Sequence, residues 1–90
     1  MNTIWKQTIE TTDVQRVEMP IDAEILTVQE QNGNINIWFK VDTEKQKALR
    51  EIFVFGTGNP IPKNNAKYIG TYQLMNGALV FHVFDNGYVA

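Results

Sequence analysis

Two Asn-Gly pairs, Asn32-Gly33 and Asn76-Gly77, each separate two runs of alternating, β-branched and aromatic residues. No other short signal restricts a chain of this size so strongly. A two-residue type I′ turn needs positive φ at both central positions, and Asn-Gly supplies it at least cost. Each turn also fixes a register, and the register decides which side chains share a face. Around Asn76-Gly77, residues 68–84 should place Met75 opposite Ala78, Gln73 opposite Val80, Thr71 opposite His82 and Ile69 opposite Phe84. Leu74 with Leu79, Tyr72 with Phe81, and Gly70 with Val83 then occupy the other face. The run from Leu79 to Phe84 is apolar on both faces except at His82, as expected of a central, covered strand.

The first hairpin, residues 24–42, reads the same way. Val28 faces Ile37, Leu26 faces Phe39 and Glu30 faces Ile35 on a core side that also carries Val41. Thr27 with Trp38, Gln29 with Asn36, and Ile25 with Lys40 form the less buried side. Before it, residues 3–10 alternate Trp5 and Ile9 against Lys6 and Thr8, with Ile4 on the polar side. Residues 14–19 alternate Gln15, Val17 and Met19 against Arg16 and Glu18, and Pro20 stops that strand. Thr43 to Gln46 fits a capping box, which predicts one helical turn at most. Residues 51–55 resume the strand pattern, with Phe53 and Phe55 against Ile52 and Val54. Residues 56–65 are irregular, Asp85-Asn86-Gly87 reads as a further turn, and the last three residues should fray. The expected fold is all-β: a single domain over residues 1–90, a small antiparallel sandwich or barrel-like meander of about seven strands.

Composition narrows the chemistry. The chain has no cysteine and no serine, which removes disulfides, thiol catalysis and every serine-nucleophile mechanism. A net charge of −2 argues against a phosphate-backbone binder and leaves room for one small anion. No apolar run approaches the roughly 18 residues of a membrane span, and residues 1–6 lack a signal-peptide core, so a cytoplasmic setting is expected.

His82 is the sole histidine. No nucleophile stands at a recognisable spacing from it, and a metal site would need ligands the chain lacks. The expectation is therefore a non-enzymatic protein without a cofactor. Gly56-Thr57-Gly58, following a strand, could offer backbone N–H groups to a phosphate, in the company of Asn59, Lys63 and Lys67. It matches neither a P-loop nor a dinucleotide fingerprint. Trp38 and Tyr72 are candidate stacking surfaces, and Arg16, Arg50 and Lys63 candidate cations. Trp5, Trp38, Tyr72 and Phe81 are more large aromatics than a small core comfortably hides, which predicts a homo-oligomer.

Several segments together resemble a family of small phage-encoded proteins classed as a domain of unknown function. They are Ile4-Trp5-Lys6, Glu18-Met19-Pro20, Ala23-Glu24-Ile25-Leu26-Thr27-Val28-Gln29-Glu30-Gln31-Asn32-Gly33, Ile37-Trp38 and Val41-Asp42. They continue with Gly56-Thr57-Gly58-Asn59-Pro60-Ile61, Tyr68-Ile69-Gly70-Thr71 and Leu79-Val80-Phe81-His82-Val83-Phe84. Asn59 stands where the family more often has histidine, and Thr43 where it has proline. The resemblance implies a phage origin and the host cytoplasm. It carries no activity of its own.

Small phage proteins of this kind often act against host defences, some by sequestering nucleotide signals and others by binding a host protein. The expectation is thus a binder of a small nucleotide-type signal, with ligand contacts from Trp38, Tyr72, Arg16, Arg50, Gly56, Thr57, Gly58, Lys63 and His82. The alternative is an inhibitor of a host protein, using an exposed strand edge or the Trp38 face.

Overall fold

The structure is a computed structural model and describes residues 1–61 and 65–89. Seven strands are present among the described residues: β1 (Asn2–Ile9), β2 (Val14–Pro20), β3 (Glu24–Gln31), β4 (Asn34–Asp42), β5 (Lys47–Gly56), β6 (Lys67–Leu74) and β7 (Leu79–Tyr88). They form two antiparallel sheets, one ordered β1-β4-β3 and the other β2-β5-β7-β6. The all-β expectation holds. The one helical element described is a 3-10 turn at Met75–Gly77, not at Thr43. At the latter, Asp42 Oδ1 accepts the Glu44 N–H at 3.0 Å, and this Asx turn links β4 to β5 without a helix.

Both Asn-Gly turns set the forecast register. Gln31 faces Asn34 and Val28 faces Ile37, while Leu74 faces Leu79 and Thr71 faces His82. Asn32 and Gly33 have positive φ, as a type I′ turn demands. At the second turn Met75 joins Asn76 and Gly77 at positive φ, so the ladder closes at Leu74 and Leu79, and Met75 and Ala78, expected as a pair, lie in the loop. Further from the turns, irregular positions shift the pairing. One between Ile25 and Thr27 turns Ile25 towards Phe39 and leaves Leu26 exposed, reversing the assignment from strict alternation. Another between Tyr68 and Gly70 brings Tyr68, not Ile69, opposite Phe84, and Ile69 packs against the core. A third lies between Arg50 and Ile52, opposite residues 85–88, where a turn and a frayed end were expected. β7 instead continues through it to Tyr88.

The inner faces of the two sheets enclose one apolar cluster. Met19, Ile37, Ile52 and Val83 are fully buried in it, and Phe39, Val41 and Val54 nearly so. On the outer face of the four-stranded sheet, Phe53, Phe55, Phe84 and Tyr68 form a second aromatic row. Phe55 and Phe84 stack at 5.3 Å, and Tyr68 meets Phe84 edge-on at 5.5 Å.

The sandwich is shut along β3 and β6. Gly70 faces Val28 so closely that an added Cβ would lie 2.8 Å from Val28 Cγ1. Only glycine permits this approach. Along β1 and β2 the sheets stay apart. Gly70→Ala should therefore cost about 1–3 kcal/mol through overpacking. Urea unfolding of the variant against wild type measures it.

Candidate functional site

The open side of the sandwich forms a groove of about 760 Å³ between β1 and β2, within the size range of small-ligand sites. Its walls follow from the alternation of the two strands. β1 turns Trp5, Gln7 and Ile9 inward, and β2 turns Gln15, Val17 and Met19 inward. The apolar members of each set enter the core. The glutamines interrupt it, and Gln7, opposite the fully buried Ile37, remains exposed in the groove.

Trp5 is the aromatic wall. Its ring meets Phe39 edge-on at 6.5 Å, and Lys47 Nζ stands 5.6 Å from its centroid. That is cation–π distance, and it places a positive charge beside an aromatic surface. Lys6 and Arg16 also line the groove, with Glu10 and Glu18 as the opposing charges. Lys6 donates to Gln31 Oε1 at 2.9 Å, and Arg16 Nε lies 3.4 Å from Glu51 Oε2. Gln15 closes the turn end, donating to Glu10 O at 2.6 Å and accepting from Glu10 N at 2.9 Å.

A second polar cluster occupies the outer face of the four-stranded sheet. His82 Nε2 lies 2.7 Å from Thr57 Oγ1, and Nδ1 lies 3.0 Å from Thr71 Oγ1. Thr71 Oγ1 is also 2.6 Å from Tyr68 OH. Thr57 N–H donates to Val80 O at 3.1 Å, which docks the Gly-Thr-Gly segment on the start of β7. A hollow of about 340 Å³ lies beside Thr57.

A family model described as a domain of unknown function, DUF7352, matches residues 1–88. The chain belongs to this family. No curated relative and no solved structure matches it at a significant level. Among the described residues, no helix of the DUF7352 chain is long and apolar enough to cross a membrane.

The DUF7352 fold scatters the residues singled out from sequence. Gly56, Thr57 and His82 do come together, with Gly58 adjacent at φ +92° and nothing within 4 Å of its missing Cβ. Lys63 lies outside the described residues. Trp38 is half-buried on the outward face of the other sheet, beside Lys6 and Thr27, so the whole core separates it from His82. Tyr72 is 3% exposed inside the core, stacked on Phe81 at 5.5 Å, with its hydroxyl 2.7 Å from Thr11 Oγ1. It has no free face to offer a base. Burial pushes the Tyr72 hydroxyl pKa up, and the Thr11 bond partly opposes this.

Arg50 is interior. It donates to both Asp85 carboxylate oxygens, at 2.8 and 2.6 Å, and to Ala23 O at 2.8 Å. Of the two described cations named from sequence, Arg16 reaches the groove and Arg50 does not. Trp5, Gln7 and Lys47 had not been singled out as ligand contacts. The available signal was a polar Gln7 inside the apolar alternation of Trp5 and Ile9.

Burial pushes the Asp85 carboxyl up, but hydrogen bonds from Arg50 and the Gly87 N–H outweigh it and hold the pKa below the ordinary carboxylate value. A depressed carboxyl contributes stability that is complete above its unfolded pKa and lost as pH falls through the folded one. Wild-type stability should thus decline on acidification below about pH 4, the unfolded Asp value. Asp85→Asn should lose about 3–5 kcal/mol at neutral pH, as expected when one partner of a buried pair is removed. It should also show a shallower acid slope, read by thermal unfolding across pH.

Proposed function

We propose that this chain is a non-enzymatic binding protein whose groove between β1 and β2 takes a small nucleotide-type ligand. The observation that supports the reading most is the Trp5 ring with the Lys47 ammonium 5.6 Å from it, in a groove of about 760 Å³. A base needs an aromatic wall and a phosphate needs a cation nearby, and Trp5 with Lys47 supplies both, with Arg16 and Lys6 at the margin. The exposed Gln7 amide can donate and accept towards the edge of a planar ring. The resemblance to phage proteins suggests the setting: the cytoplasm of an infected host cell, where the protein sequesters a nucleotide signal made by a defence system. An assembly of identical chains belongs to the same reading.

A second reading rests on Trp38, a half-buried tryptophan on a mostly polar outward face that also carries the exposed Ile4, which fits an inhibitor anchored on a host protein. A stoichiometric host protein retained by wild type and lost by Trp38→Ala, with no small ligand bound, would favour it.

Calorimetry against cyclic nucleotides and ADP-ribose derivatives tests the first reading. At least one member should bind, and Lys47→Ala should weaken it by about 1.5–3 kcal/mol with unchanged unfolding. No heat from any member would remove the nucleotide reading.

A further inference from the structure

We propose that two copies of this chain pair along β1, antiparallel about a two-fold axis at Trp5, joining their three-stranded sheets into one. The reason lies in which backbone groups of β1 are already used. Antiparallel partners alternate between hydrogen-bonded and non-hydrogen-bonded pairs. Thr43 N–H donates to Met1 O at 2.9 Å, one step beyond the pair Asn2 and Asp42. The odd-numbered residues of β1 therefore bond to β4, and Asn2, Ile4, Lys6 and Thr8 turn their N–H and C=O groups away from the sheet.

Other edges are blunted. β3 and β6 abut at Val28 and Gly70, and each carries a register irregularity. β2 ends in Pro20 and points Arg16 and Glu18 outward. β1 has eight residues in unbroken register, no proline and no bulge. An edge of this kind is a template for another strand.

Strand length and side chains together favour one register: an axis at Trp5 pairs all four of Asn2, Ile4, Lys6 and Thr8. With Trp5 at the axis, Ile4 faces Lys6 of the partner subunit, Asn2 faces Thr8, and no two like charges meet. A shift that centres the axis on Lys6 would oppose two ammonium groups. The groove opens alongside this edge, so the second copy would also wall its open side. That last consequence rests on the ligand reading. The pairing itself does not, and association is measured without ligand.

Sedimentation equilibrium of the full chain at tens of micromolar should show a dimer. Lys6→Pro removes an outward N–H and spares the β1–β4 ladder, so it should give a folded monomer, checked by circular dichroism. Ile4, 56% exposed, provides the register test in case the proline variant unfolds. Ile4→Lys opposes Lys6 at two symmetric pairs and should weaken association roughly 2- to 30-fold, whereas Ile4→Glu should not weaken it. A monomeric wild type, a dimer that survives in folded Lys6→Pro, or equal effects of Ile4→Lys and Ile4→Glu would each overturn the proposal.

Discussion

The buried pair of Arg50 and Asp85 joins β5 to β7 within one sheet and anchors the link that leads to the other. Its two hydrogen bonds span β5 and β7 at the point where their ladder is irregular. The same guanidinium reaches Ala23 O in the link between β2 and β3, and lies 4.6 Å from the centre of the Tyr88 ring. The Tyr88 hydroxyl donates to Pro20 O and accepts the Ala23 N–H at 3.0 Å. One ion pair thus ties the end of the chain to the segment that crosses from one sheet to the other. A buried pair need not add net stability over an apolar core, but removing one partner strands the other charge.

Much of the fold was legible because alternation and Asn-Gly turns are local signals. Several of the failures share one cause. A bulge changes the phase of a period-two pattern without changing its composition, so Leu26 looked internal and Ile25 external. Asp85-Asn86-Gly87 has the residues of a turn, but the distant Arg50 and Glu51, bonded to Asp85 and Asn86, hold it in β7. An ion pair spanning 35 positions leaves no trace in either neighbourhood.

Less of the candidate site could be read. Aromatic and cationic residues were visible individually, but their faces depend on register and on which sheet each strand joins. Tyr72 and Trp38 both looked like stacking surfaces. One faces the core and the other faces outward from the opposite sheet. Trp5 and Lys47 meet only because β1 and the start of β5 flank the open side. The juxtaposition of Thr57 with His82 was nearer to hand, since Thr57 follows the strand that pairs directly with β7.

The approach of Gly70 to Val28 has a mechanical consequence. Two plates joined at one long margin and free at the other behave like a book with a spine. Widening the far margin breaks few contacts, whereas separating the bound margin breaks many, so local opening is easiest at the groove. Replacing the spine glycine would therefore alter how far the pages part, even though Gly70 lies across the core from Trp5 and Val17.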